Sequence, residues 1–386
     1  MERAPYLNAR LQGFATTIFD EMSSLALATG AINLGQGFPD TDGPTDVAEA
    51  AVAAIRAGHN QYAPGLGVPA LREAVSEHQR ACYGLEYDPA TEVLVTAGAT
   101  EALAAALLSL CEVGDEVLVF DPAYDAYGAV AAMAGARRRS VTLQPPDWHF
   151  SAEDLEAAVT ARTRLVLLNS PHNPTGKVMS GDELELVARC CTEHDLVAVT
   201  DEVYEHLVFD GSHVPLASLP GMRERTLTIS SSGKTFGFTG WKVGWACGPA
   251  PLVHAVRTAK QFLTYANATP FQHAVAEALA AGTKYFDQAA IELRARRDQL
   301  CDGLAALGFV VFRPAATYFT VADITPLGFD DGLDFCRRLP ERCGVVAVPL
   351  SAFYEDPAGG APLVRFAFCK RPEVLDAALE RLGALG

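Results

Sequence analysis

Along the middle of the chain, short runs of β-branched and other apolar residues alternate with longer stretches of helical period. Glu92–Thr96 (EVLVT), Glu116–Phe120 (EVLVF), Arg164–Leu168 (RLVLL), Leu196–Thr200 (LVAVT), Thr226–Ser230 (TLTIS) and Lys242–Cys247 (KVGWAC) read as strands. Most are continuously apolar rather than alternating, as expected of strands covered on both faces, and such strands build parallel sheets with helices outside. The periodic stretches Glu101–Leu110 and Gly181–His194 supply covering helices. The predicted class is α/β, a mainly parallel sheet flanked by helices. The pattern changes towards the C-terminus. A long charged helix, Phe286–Leu307, is followed by short strands and a last helix, Pro372–Leu385, and this end of the chain predicts a smaller α+β domain. The expected organisation is an N-terminal arm and helix over 1–45 packing on the small domain, a large domain over 46–280 and the small domain over 281–386.

Polar or glycine residues close the strand runs on their C-terminal side: Gly98 to Thr100, Asp121, Asn169, Asp201 and Ser231. Open α/β sheets bind ligands outside the carboxyl ends of their strands, so these residues should meet along one edge.

Composition narrows the partners. Of 386 residues 49% are hydrophobic, enough for a large core, and the net charge of −17 disfavours nucleic acid phosphates and anionic lipid headgroups. Met1–Gly30 lacks the apolar stretch of a secretory signal, and the longest suspicious apolar run, Ala102–Cys111, is too short to span a bilayer. Nine scattered cysteines, without a CxxC pair, fit reduced thiols of a cytoplasmic protein, and no metal is expected.

The chemistry concentrates in Ser230–Trp245 (SSSGKTFGFTGWKVGW), where Lys234 stands between Gly233 and Gly237. Small neighbours allow close approach of a bulky group, and a nucleophilic lysine needs burial or a nearby cation such as Lys242 to lower its pKa. Ser231-x-x-Lys234 followed by Gly240-Trp241-Lys242-x-Gly244 resembles the cofactor-lysine signature of the class I/II, fold type I aminotransferases, which depend on pyridoxal 5'-phosphate (PLP). Thr200-Asp-Glu-Val-Tyr204, Asn169-Ser-Pro-His-Asn-Pro-Thr-Gly176 and Val364-Arg365-Phe366 resemble further motifs of that family, in the same order.

The resemblance implies a role for each residue. Lys234 would carry PLP as a Schiff base and later act as general base; Asp201 would pair with the pyridine N–H; Tyr204 and Asn173 would donate to the cofactor's phenolic oxygen. Gly98, Ala99 and Thr100 at a helix start, with Ser231 and Lys242, would hold the phosphate, and Tyr124 would stack on the ring. Arg365, inside the apolar stretch Leu363–Cys369, would grip the substrate α-carboxylate with its forked guanidinium, beside Asn173 and the backbone of Gly37 in the loop Asn33–Asp40. Tyr62 resembles a residue that reaches the partner subunit's phosphate in homodimers with shared active sites, and Phe19 and Tyr265 resemble substrate-pocket aromatics of kynurenine aminotransferases. The implied reaction is a ping-pong amino transfer to an oxo acid. The side chain accepted is of aromatic, methionine or glutamine type, or N-succinyl-diaminopimelate, because whole segments also resemble actinobacterial enzymes assigned to that substrate. A PLP-dependent carbon–sulfur β-lyase, sharing fold and lysine, is the alternative. A PLP-sensing transcription regulator would need a basic DNA-binding domain ahead of residue 35.

Overall fold

The protein is described by a computed structural model over residues 4–14 and 16–385. Its centre is a seven-stranded sheet: β1 (Val93–Thr96), β2 (Glu116–Asp121), β3 (Arg137–Thr142), β4 (Thr163–Asn169), β5 (Val197–Asp201), β6 (Thr226–Ser231) and β7 (Gly244–Cys247), in the spatial order β1-β7-β6-β5-β4-β2-β3. All neighbours are parallel except those of β7, which runs antiparallel between β1 and β6. The predicted α/β class with a mainly parallel sheet is the one observed.

Two details differ from the sequence reading. Strand β3 lies outside the predicted set, because its sequence RRRSVT has only one buried position and reads as a polar segment. It is the sheet edge, and its arginines are used by the carboxylates of β2: Arg138 pairs with Asp121, and Arg139 lies 3.9 Å from Glu116. At β7 the strand begins at Gly244 rather than Lys242, because Lys242 adopts a left-handed conformation (φ 53°) that turns the chain into the sheet.

Helices cover both faces. Three follow in chain order, α1 (Ile18–Thr29), α2 (Gly98–Leu110) and α3 (Asp125–Ala134). Beyond residue 280, α4 (Lys284–Ala306) buries Phe286, Leu293, Arg297, Leu300 and Leu304, one stripe of a long amphipathic helix. It packs on a four-stranded antiparallel sheet of β8 (Val310–Phe312), β9 (Phe319–Asp323), β10 (Val348–Pro349) and β11 (Leu363–Ala367), in the order β10-β11-β9-β8. The last helix ends at Leu382, and Gly383–Leu385 tightens into a 3-10 turn. Ile32–Asn33 pairs in parallel with Val345–Val346, which carries the following loop across the small sheet towards the large one. A single apolar cluster joins Leu118, Val166 and Ala198 of the large sheet to Leu300, Val321 and Phe366 beyond it. The two sheets therefore share a core, and the groove between them is rigidly framed. Among the described residues no helix is long and apolar enough to cross a membrane.

Candidate active site

The strands β2, β4, β5 and β6 end at Asp121, Asn169, Asp201 and Ser231, and a cavity of about 300 Å³ opens beyond the last three. It gathers residues from distant segments. From the large sheet come Gly98, Ala99, Thr100, Tyr124, Asn173, Asp201, Tyr204, Ser231, Lys234 and Lys242, and from the other side come Phe19, Gly37 and Arg365. Tyr62 and Tyr265 stand outside it. They are exposed and meet edge to face with ring centres 5.6 Å apart.

Lys234 sits in a single helical turn, Ser232–Thr235, directly after β6. Its Nζ donates to the Tyr318 hydroxyl at 2.6 Å and to the Gly37 carbonyl at 3.2 Å. Burial lowers its pKa to about 8, with Arg365 and Lys242 acting in the same direction against Cys369 and Asp201. A fraction of neutral, nucleophilic amine is therefore present near neutral pH.

Asp201 is buried at the end of β5, and burial raises its carboxyl to about 6, partly offset by the hydrogen bond from Tyr127 and by Lys234. Tyr127 Oη donates to Oδ2 at 2.8 Å, and Asn169 Nδ2 fixes the Asp201 carbonyl at 2.8 Å. Among the described residues no arginine, lysine or histidine forms an ion pair with Asp201, so a buried carboxylate faces the cavity needing a cationic N–H.

Arg365 lies in the middle of β11, 1% exposed. Its Nη1 donates to Asn173 Oδ1 at 2.9 Å and its Nη2 to the Gly35 carbonyl at 2.8 Å, while the ring of Phe319 lies 3.9 Å below the guanidinium. Nε has no partner, and no carboxylate of the described residues pairs with the group. A planar donor with its charge unmatched suits an incoming carboxylate. Phe19, brought in by α1, stands 5.2 Å from the guanidinium and edge-on to Phe353.

At the opposite end, the N-terminus of α2 points its free N–H groups into the cavity at Gly98, Ala99 and Thr100. Gly98 has φ 73°, and a Cβ there would lie 3.2 Å from Lys242 Nζ. Gly244 is pressed so closely on this turn that a Cβ would meet the Gly98 carbonyl carbon at 2.7 Å. Backbone donors, helix dipole, lysine and the Ser231 hydroxyl make a pocket for a tetrahedral anion. Tyr124, between the two ends, caps α3 and lies edge-on to Tyr127 at 5.7 Å.

The cavity thus offers an anion seat, a carboxylate for a cationic ring nitrogen, a carboxylate receptor and an amine of lowered pKa between them. Some contributors escaped the sequence reading. Tyr127 holds Asp201, Tyr318 holds Lys234, and Phe38 and Phe319 form walls. A tyrosine carries no local signal that separates these uses from core packing.

Known proteins share this fold. The family model described as aminotransferase class I and II matches residues 29–382. The structure of N-succinyldiaminopimelate aminotransferase from Mycobacterium tuberculosis superposes with a TM-score of 0.97 at 53% identity, covering 98% of this chain and 100% of that one. The methionine aminotransferase of Escherichia coli is 40% identical over 378 residues, 98% of each chain. Kynurenine–oxoglutarate transaminase 3 of Rattus norvegicus is 38% identical over 401 residues, 96% of this chain and 88% of that protein. Because these relatives are all aminotransferases, the β-lyase alternative is not favoured. The chain belongs to the class I and II aminotransferases, and it is a transaminase of fold type I that moves amino groups between amino acids and oxo acids.

Proposed function

We propose that this transaminase works with PLP in the cavity described above, and that its amino donor or acceptor is N-succinyl-diaminopimelate or its oxo counterpart. The single observation that carries the cofactor is the donor set. A buried carboxylate without a cationic partner, Asp201, lines one cavity with an anion seat at Gly98–Thr100 and an amine of lowered pKa, Lys234. Asp201, itself held by Tyr127, would pair with the pyridine N–H, Tyr204 and Asn173 would hold the phenolic oxygen, and Ser231, Lys242 and the start of α2 the phosphate, with Tyr124 against the ring. Bound PLP supplies the electron sink that lets a Cα–H bond ionise.

The protein's own residues do the rest. Arg365 takes the substrate α-carboxylate into its fork, steadied by Asn173 and the Gly35 carbonyl. That anchor orients Cα towards Lys234. Neutral Lys234 accepts the Cα proton and holds it at Nζ, between the Tyr318 hydroxyl and the Gly37 carbonyl. Phe19, Phe38 and Phe319 line the cavity and limit water around the reacting carbon.

Substrate choice rests on the likeness to the Mycobacterium tuberculosis enzyme, 53% identical over nearly the whole of both chains. A second reading, an aromatic or methionine donor, is favoured by the aromatic walls Phe19, Phe38 and Tyr124. A half-reaction screen tests both. PLP-loaded protein is mixed with N-succinyl-diaminopimelate, methionine, kynurenine, glutamine and phenylalanine in turn, and conversion to the pyridoxamine form is followed by absorbance. N-succinyl-diaminopimelate should react fastest; a faster methionine or kynurenine reaction replaces it with the second reading.

We further propose that the enzyme is a cytoplasmic homodimer. Tyr62, Phe262, Leu263 and Tyr265 expose a cluster of large apolar side chains that a second copy would cover, bringing Tyr62 to the partner's phosphate seat. The units 46–280 and 281–386, with 1–45 as an arm on the latter, are the proposed domains.

A further inference from the structure

On the side of β5 and β6 away from the cavity lies a buried polar cluster that transamination does not use. His78, on the helix Pro69–Tyr83, and His206, five residues beyond the end of β5, face each other with Nε2 atoms 2.8 Å apart. Glu205, 4% exposed, accepts from the Tyr83 hydroxyl at 2.7 Å and from the Ser230 hydroxyl. One ligand atom from each of His78, Glu205 and His206 falls within 4.8 Å of the other two. Next to them Glu202, 2% exposed, pairs with His213 at 2.7 Å.

The charge balance is unusual. Two buried carboxylates share this region, and among the described residues neither forms an ion pair with a lysine or arginine. A buried carboxylate without a cation is costly. Two facing Nε2 atoms can share one proton but cannot both carry one. A hollow of about 320 Å³, lined by Glu205, His206, His213 and Asp287, leads to the cluster from the surface.

We propose that His78, His206 and Glu205 form a structural site for a divalent transition metal of the zinc class, with water from the hollow as fourth ligand. Two imidazoles and a carboxylate are borderline donors that suit zinc and cobalt and disfavour magnesium or calcium. With metal–nitrogen bonds of about 2.0–2.1 Å, tetrahedral ligation needs the two nitrogens roughly 3.3 Å apart, so the rings part by about half an ångström. Gln79, buried with an unpartnered Oε1, has its amide 3.5 Å from His78 Nδ1. Reversing that amide presents Oε1 to Nδ1–H, the outer hydrogen bond that orients a metal-bound histidine. The ion would tie the helix Pro69–Tyr83 to the segment that carries Asp201 and Tyr204, and through Ser230 to β6. Glu205 and His206 are neighbours, but His78 lies 128 residues from His206, and none of the three is a cysteine, so no spacing motif announces them.

The test uses tag-free, PLP-loaded full-length protein stripped with a chelator and titrated with Co²⁺ and with Zn²⁺ chloride. The expected result is one ion per chain at micromolar concentration, a tetrahedral Co²⁺ absorption band and a raised melting temperature. All three should vanish in His78→Asn, whose cofactor absorbance should stay. Binding well below one ion per chain, or binding unchanged in His78→Asn, overturns the site. Should His78→Asn not fold, X-ray absorption on the Zn²⁺-loaded wild type decides: two imidazole ligands uphold the proposal and their absence refutes it.

Discussion

At Lys234 the environment sets the chemistry. The amine is shifted from 10.5 to about 8, chiefly by burial, so reactivity of the cofactor-free chain towards an amine-directed reagent should rise about tenfold per pH unit below 8 and level off above it. A midpoint near 10.5 for labelling of Lys234 would count against this burial. Lys234→Ala should cost at least about 10³-fold in turnover, in the upper range of general-base effects. Tyr318→Phe removes one hydrogen bond to Nζ, worth roughly 1 kcal/mol, so kcat should fall by about fivefold with KM little changed, which marks Tyr318 as a positioning residue. Asp201 shows the cost of such a site. Its folded pKa is raised from 3.8 to about 6, so the stability it contributes is present below 3.8 and lost as pH rises through about 6. At pH 7 the penalty is roughly 3 kcal/mol. Asp201→Asn should therefore stabilise the cofactor-free chain against urea at pH 7, with a gain that fades towards pH 4, while transamination drops sharply. Equal urea midpoints for the two proteins at pH 7 would contradict the raised pKa.

Elements hold the site through backbone contact as much as through side chains. The start of α2 faces the cavity because β7 passes immediately beneath it, and only glycine at 244 permits that approach. Gly244→Ala would place a methyl 2.7 Å from the Gly98 carbonyl carbon. It should cost about 1–3 kcal/mol of stability by overpacking and weaken PLP binding, measured by thermal melting and by cofactor titration. The same scale explains which elements were legible. β2, β4 and β5 are covered on both faces, so their sequences carry continuous apolar runs with a polar residue at the carboxyl end, and β6 (TLTISS) is buried over residues 226–230 although hydroxyl residues alternate with its Leu and Ile. β3 was missed because an edge strand answers to its neighbour's carboxylates, Asp121 and Glu116, rather than to a core.

For the whole molecule, the exposed patch around Tyr62 and Tyr265 carries the prediction. Sedimentation should report a dimer, and Tyr62→Glu should shift it towards monomer and lower PLP affinity without loss of the far-ultraviolet helix signal; a wild-type monomer with full activity would remove the shared-site reading. Neither tyrosine reaches the cavity of its own chain, so what surrounds them depends on a surface beyond this chain.

By itself the sequence determined the sheet class, the order of the motifs and the residue types that chemistry requires at strand ends, because burial on both faces and strand termini leave local marks in the chain. It could not determine pairings between distant segments. Arg365 meets Gly35 across 330 positions, Arg365 meets Asn173 across 192, and Lys234 meets Gly37 across 197. Only the packing of one sheet against the other over a shared core decides those contacts, and the same packing sets the burial that moves Lys234 and Asp201 away from their ordinary pKa values. His78 and Glu205 belong to the same class of fact: two ordinary residues in the chain, brought together by a helix lying behind the sheet.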